Sequence, residues 1–157
     1  WAEQDPKDWW QALGASVKGA LAKANVAAQD VIALCVDTTC CSVVTLERDG
    51  RPLRSAMIWM DVRSARQADA IAATKDPALR VNGAGSGPAS AEWLIPKSLW
   101  IKEKQRELFD RAEKIGEYQD YINLRLTGGR TDIHRIRHCL VQKPLSGMSP
   151  RSRTARQ

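Results

Sequence analysis

The chain has 157 residues, 43% of them hydrophobic and 27% charged, which is typical of one globular domain and argues against a disordered chain. No segment approaches the run of about 18 apolar residues that a membrane-spanning helix needs, so no membrane attachment is expected. The net charge of +6 is uneven, because residues 1–130 carry 18 basic and 17 acidic side chains while residues 131–157 carry 6 and 1, and a near-neutral body argues against nucleic-acid binding.

The first predicted element is a helix that begins after Asp5. Asp5 is a suitable N-cap, Pro6 fits the first helical position, and the pattern ends near Asn25. Apolar residues at three- and four-residue steps indicate one apolar face, made of Trp9, Leu13, Val17, Ala20 or Leu21, and Ala24. The β-branched run VIALCV, residues 31–36, then predicts a buried strand.

A hairpin is predicted next, because Asp49-Gly50 and Pro52 separate two apolar runs. A helix from about Ser64 to Thr74 follows it. The inward residues of that helix are predicted to be Ala65, Ala68, Ile71 and Ala72.

The second half alternates loops, helices and one strand. Residues 75–90 are rich in Gly and Pro and predict a loop. Pro96 begins or kinks a helix that runs to about Lys104, and a short helix and a strand are predicted after it from Leu108, Phe109, Ala112 and Ile115. A last helix has Gly128 at its C-cap and one apolar side, formed by Tyr118, Tyr121, Ile122 and Leu126. Strands alternating with helices predict an α/β fold.

Two motifs outside these elements carry little chemistry. Residues 82–88, NGAGSGP, lack the spacing of a dinucleotide or Walker loop and are not a nucleophile elbow, so a flexible connection is predicted. His134 and His138 lie four residues apart beside Cys139, a spacing that could hold zinc on a helix. No Glu-based metalloprotease motif accompanies them, and no metal site is predicted.

The cysteines and one acid–base pair are better candidates. Adjacent Cys40 and Cys41 make a poor disulfide framework, so reduced thiols and a cytoplasmic location are expected. They follow a predicted strand, where α/β sheets present ligand sites, and they either line a substrate loop or are two small half-buried thiols. Asp61 and Arg63 lie two apart on an extended segment and therefore point the same way. They either bind hydroxyl groups or pair with each other.

Four runs of the chain form a pattern when they are taken in order: EQDPKDWWQAL, VIALCVDTTCCSVVTLERDGRPLRSAMIWMDVRSA, VNGAGSGPASAEWLIPKSLWIKE and EYQDYINLRLTGG. Together they resemble the N-terminal domain of the FGGY-type carbohydrate kinases over about residues 3–129. The more specific parts are W-x-D-x-R after a strand and DY-x-x-x-x-LTG. VDTTCC and the segment from Gly85 to Trp93 point toward the ribulokinase-like pentulose kinases, although that segment only approximates their pattern.

The resemblance implies a partial actin-like, ribonuclease-H-like kinase domain that lacks its first strands. Such enzymes transfer the γ-phosphoryl group of ATP, with magnesium, to a hydroxyl of a sugar held between two domains. Carried over residue by residue, the resemblance assigns six positions to the sugar pocket: Thr39, Cys40, Cys41, Asp61, Arg63 and Glu92. Thiols stand at positions 40 and 41, where other members have polar or charged side chains, and Asp61 and Arg63 are expected to be architecture near the pocket.

The resemblance also implies what these residues do not supply. The phosphate-binding turn would precede Trp1, and the catalytic Asp and adenine-binding domain would follow residue 130. Residues 1–130 are therefore expected to be part of the kinase N-terminal domain, inactive alone, with oligomerisation or aggregation through the edge left by missing strands. Residues 131–157 are expected to be a disordered or out-of-frame tail. The alternative is a non-catalytic binding module that uses this basic tail on acidic partners.

Overall fold

A four-stranded sheet lies at the centre of the computed structural model, which describes residues 1–79 and 89–129. The strand order is β1-β3-β2-β4, and every neighbouring pair is antiparallel. The strands are β1 (Glu3–Gln4), β2 (Val43–Leu46), β3 (Ala56–Met57) and β4 (Lys114–Glu117). The glycine-rich residues 82–88, together with His134, His138 and Cys139, lie outside the described residues.

Five α-helices accompany the sheet in the described part of the chain. They are α1 (Pro6–Ala24), α2 (Ala65–Ala73), α3 (Leu94–Lys104), α4 (Arg106–Arg111) and α5 (Tyr118–Leu126). The predicted caps of α1 are confirmed: the Asp5 carboxylate accepts from the Lys7 N–H at 2.9 Å, and Asn25 ends the helix with a φ of 53°. None of the described helices is long and apolar enough to cross a membrane.

The predicted hairpin is confirmed between β2 and β3. Leu46 pairs with Pro52 beyond the turn, and Val43 lies opposite Met57. Gly50 has a φ of 83°, and a Cβ there would lie 2.7 Å from Cδ2 of Leu124. A glycine is therefore required both by the backbone conformation and by the close approach of α5.

The core has two halves because both faces of the sheet are covered. Val44 and Leu46 point to one side of β2 and Val43 to the other, as alternation along a strand requires. One cluster joins α1 and α5 to the sheet through Trp9, Val44, Leu46, Ala56, Tyr121, Ile122 and Leu124. The other joins α3 and α4 to the opposite face through Val43, Met57, Trp100, Ile101, Phe109, Ala112 and Ile115. The result is a helix–sheet–helix sandwich.

Several predicted inward positions are wrong. Ala65 is exposed, and the buried positions of α2 are Gln67 and Ala68, because the Gln67 amide donates to the Glu103 carboxylate of α3 at 2.6 Å. In α5 Leu124 is buried and Leu126 is 42% exposed, because the side of Leu124 packs into the cluster with α1. Ala20 and Ala24 of α1 are also exposed, since the helix is buried only at Pro6 and Trp9.

The predicted strand at residues 31–36 is also wrong. The segment has no regular secondary structure, and none of the four described strands pairs with it. Ile32 is 99% exposed and Leu34 51% exposed. A strand needs a neighbouring strand to bond its backbone, so an apolar β-branched sequence alone does not produce one.

This exposed apolar segment leads us to expect self-association. The double substitution Ile32→Lys and Leu34→Lys should shift the chain from oligomers toward a monomer in sedimentation velocity, because it removes two exposed apolar side chains and adds charge. Ala33→Lys, which adds charge without removing a large apolar side chain, is the matched control. A wild-type chain that sediments as a monomer at all concentrations would contradict the expectation.

Candidate functional site

The predicted site residues lie near one end of the sheet, where β2 begins and β3 and β4 finish. Because β2 and β3 are antiparallel and Val43 lies opposite Met57, the loop that enters β2 and the segment that leaves β3 emerge together. Thr39, Cys40 and Cys41 belong to that loop, and Asp61 and Arg63 follow β3. Val43 also lies opposite Glu117, so β4 finishes at the same end.

A buried lysine joins these segments, and the sequence interpretation missed it. Lys97 of α3 has no exposed surface. Its Nζ donates to the carbonyl oxygen of Cys41 at 2.7 Å and to that of Ile58 at 2.8 Å. The ammonium group therefore fixes the loop before β2 to the segment after β3. The sequence does contain an indication of this burial. Lys97 lies four residues before Ile101, and this spacing places it on the apolar face of the helix.

The charges of three acidic side chains act on this lysine. Burial lowers the pKa of Lys97, and the charges of Asp61, Glu92 and Glu117 act in the opposite direction. Three predicted site residues, Cys41, Asp61 and Glu92, thus interact with one buried cation. Glu92 is half-buried in the segment before α3, and its backbone N–H donates to the Ser90 hydroxyl at 3.2 Å.

Asp61 and Arg63 pair with each other. Nε and Nη2 of Arg63 donate to the two carboxylate oxygens of Asp61 at 2.8 and 2.5 Å, and the Ala2 N–H adds a bond at 2.6 Å. Burial alone would raise the pKa of Asp61, but the bonds from Arg63 and Ala2 outweigh it and hold the pKa at about 2. Asp61 is therefore an ionised carboxylate at neutral pH whose oxygens already accept bonds from the protein.

The Arg63 guanidinium has further partners on its other sides. Its Nη1 forms an ion pair with Glu3 at 2.7 Å, and Glu3 also contacts Arg54. The guanidinium carbon lies 4.1 Å from the ring centre of Trp1 and 5.1 Å from that of Trp100. Asp61 and Arg63 therefore tie β1, the segment after β3 and α3 together, which gives them an architectural role beside the loop.

The loop at positions 39–41 is partly exposed at this end of the sheet. Thr39 and Cys40 are exposed, and Cys41 is half-buried. Cys41 has a φ of 65°, a left-handed conformation that is uncommon for a residue with a side chain. Burial, together with a hydrogen bond to Cys40, raises the pKa of the Cys41 thiol to about 11. Cys35, Cys40 and Cys41 are all unbridged thiols.

Solved structures similar to this chain include carbohydrate kinases. The chain superposes on a "xyloylose kinase" from Brucella ovis with a TM-score of 0.71 and 25% identity, over 79% of this chain and 25% of that one. A xylulose kinase from Bifidobacterium adolescentis gives a TM-score of 0.64 and 28% identity, over 84% and 29%. The predicted actin-like, ribonuclease-H-like α/β fold, present in part, is thus confirmed.

The family follows from the sequence comparison. The FGGY family of carbohydrate kinases, N-terminal domain, matches residues 1–139, and the chain belongs to this family. Similar proteins are the xylulose kinases of Streptomyces coelicolor (38% identical over 83% of this chain) and Escherichia coli (33% over 82%). A ribulokinase from Bacillus licheniformis is 26% identical over 83%. The chain spans about a quarter of the length of these relatives, 25% to 26%.

Proposed function

We propose that this chain forms one wall of the sugar site of an ATP-dependent carbohydrate kinase whose acceptor is a pentulose. The observation that carries the proposal is the contact of Lys97 with the carbonyl oxygens of Cys41 and Ile58, which joins the loop at positions 39–41 to the segment after β3 in a chain of this family. Similar proteins named xylulose kinase and ribulokinase support a pentulose acceptor. The thiol-containing loop resembles that of the ribulokinase-like pentulose kinases, so xylulose and ribulose are both candidate acceptors.

The proposed contacts follow the chemistry of the exposed groups. The Glu92 carboxylate accepts hydrogen bonds from sugar hydroxyls, the Thr39 hydroxyl both donates and accepts, and the two thiols give a less polar surface. Asp61 and Arg63 pair with each other in the segment after β3, which Lys97 joins to the loop. Direct contact of Asp61 with sugar would require the loss of an existing hydrogen bond, because its carboxylate oxygens already accept from Arg63 and Ala2.

ATP with magnesium supplies the phosphoryl group and neutralises its charge in kinases of this type. Among residues 1–79 and 89–129, no three His, Cys, Asp or Glu side chains are grouped so that they could hold a metal ion. We propose no magnesium or ATP contact for any described residue. Phosphoryl transfer depends on several positioned groups at once, so we propose that the 157-residue chain is inactive alone.

Residues 131–157 are proposed to be an out-of-frame tail rather than an evolved basic arm. The change in charge balance from +1 to +5 supports this, although the family match extends to residue 139. Reading the coding DNA from the codon for Leu126 in all three frames tests the proposal. We expect a continuation similar to a sugar kinase in another frame, and a continuation in the present frame alone would contradict the idea.

The proposed activity is tested by transfer from ATP labelled at the γ-phosphoryl group. D-xylulose, D-ribulose and L-ribulose are offered with magnesium, and glycerol and gluconate serve as controls. We expect no sugar phosphate from the 157-residue chain, and a pentulose phosphate from the product of the whole gene. Turnover by the short chain would overturn the proposed inactivity. A whole gene product that accepts only glycerol or gluconate would overturn the pentulose assignment.

A further inference from the structure

Two thiols stand side by side on the loop that Lys97 holds. Cys40 is exposed and Cys41, the next residue in the chain, is half-buried. The backbone at Cys41 is fixed twice, by its left-handed φ of 65° and by the bond from its carbonyl oxygen to Lys97 at 2.7 Å. The Cα atoms of adjacent residues are about 3.8 Å apart, so one atom at the protein surface can reach both sulfurs.

A direct disulfide is a poor fit for this pair. Disulfides usually join Cα atoms about 4.4–6.8 Å apart, whereas Cα atoms of consecutive residues are about 3.8 Å apart. An atom that bridges the two sulfurs removes the need for a short S–S bond. Zinc is a poor bridging atom here, because structural zinc takes four ligands and the described residues offer no group of three.

We propose that Cys40 and Cys41 form a binding site for trivalent arsenicals, in which one arsenic atom is bonded to both sulfurs. Two thiols react with one R–As=O group: two As–S bonds form, the As=O and two S–H bonds break, and the oxygen leaves as water with both protons. Arsenic stays trivalent, so neither an oxidant nor a reductant is needed. Soft sulfur ligands favour soft, polarisable centres of this kind.

The exposed thiol of Cys40 is the better placed of the two for the first As–S bond. Burial raises the pKa of the Cys41 thiol to about 11, so Cys41 is protonated at neutral pH and its bond to arsenic depends on nearness to an arsenic atom already held by Cys40. The arsenical takes up the thiol proton in the water that leaves. Once one As–S bond has formed, the second thiol is already beside the arsenic atom and reacts at a high effective concentration.

Arsenic at this position would also occupy the surface assigned to sugar. This consequence rests on the proposed function, because it requires the loop at positions 39–41 to line the pocket. The binding itself does not, since it depends only on the two thiols. A failure of sugar binding and a failure of arsenical binding are therefore distinguishable.

Intact-mass spectrometry after treatment with phenylarsine oxide tests the site. The Cys139→Ser chain is used as background, and an excess of the monothiol glutathione is present to remove arsenic held by one sulfur. We expect one phenylarsenic group in place of two hydrogens, with release by dithiothreitol. Cys35→Ser should keep the adduct, and Cys40→Ser and Cys41→Ser should each lose it at least tenfold.

Circular dichroism separates loss of the site from loss of the fold, because a folded Cys40→Ser chain without adduct supports the proposal. Cys40→Ala provides a second folded variant if the serine destabilises the loop. The proposal is overturned if the folded Cys40 or Cys41 variants keep the adduct, or if Cys35→Ser abolishes it. It is also overturned if glutathione strips the arsenic from the parent chain.

Discussion

Lys97→Met is expected to lower the free energy of unfolding by about 3 kcal/mol, because two hydrogen bonds from a charged group are lost and two carbonyl oxygens are left without their partner. Methionine keeps most of the volume of the lysine stem, so the loss reports the ammonium contacts rather than a cavity. Removing the charge also relieves its desolvation, which keeps the expected value below the sum of two charged hydrogen bonds. The measurement is urea unfolding of the chain in the Ile32→Lys, Leu34→Lys background.

The matched control is Lys104→Met at the exposed end of the same helix. We expect it to change stability by less than about 0.5 kcal/mol. Hydrogen exchange gives a second measurement, since release of the Cys41 and Ile58 carbonyl oxygens should speed exchange in the loop before β2 and in the segment after β3. Equal stability of Lys97→Met and Lys104→Met would contradict the position assigned to Lys97.

Asp61→Asn is expected to cost about 3 kcal/mol at neutral pH, because it removes one partner of a buried ion pair. The side chains of Arg63 and Asp61 are 2% and 0% exposed, so solvent cannot replace the lost charge. Arg63 keeps its ion pair with Glu3, which limits the loss. Asp69→Asn, on the exposed side of α2, is the control and should change stability little.

The same variant gives a test in acid. The pKa of Asp61 falls from 3.8 to about 2 on folding, so its contribution is complete above pH 3.8 and is lost as the pH falls toward 2. The wild-type chain should therefore lose roughly 2 kcal/mol from this group across that interval, and Asp61→Asn should lack this part of the acid dependence. Parallel stability curves for the two chains between pH 4 and 2 would contradict the ion pair.

Local signals in the sequence predicted most of the elements. The Asp5 cap, Pro6 and Asn25 set the ends of α1 through bonds that lie within the helix and its flanks. Asp49-Gly50 likewise predicted the hairpin, because the bonds and the backbone conformation of the turn lie within a few residues of the chain. Residues 31–36 show the limit of this approach, because the β-branched pattern is strong but a strand forms only where another strand accepts its backbone bonds.

The sequence supplied candidate positions for the site but not their arrangement. The W-x-D-x-R motif and the VDTTCC run gave candidates that stay predictions, and the spacing of Asp61 and Arg63 indicated the pair that the structure contains. Lys97 was missed because its burial depends on two carbonyl oxygens far away in the sequence. The contacts of Arg63 with Glu3 and the tryptophans likewise depend on the folded sheet and helices, which no local pattern contains.

The most direct test of the proposed sugar site is a titration of the 15N-labelled chain with D-xylulose or D-ribulose, monitored through its amide chemical shifts. We expect saturable shifts at residues 39–41, 61–63 and 92, and weak or absent shifts with an aldohexose at the same concentration. In Lys97→Met the shifts at residues 39–41 should be lost. Pentulose-induced shifts confined to other parts of the folded chain, or no shifts at these residues at any concentration, would contradict it.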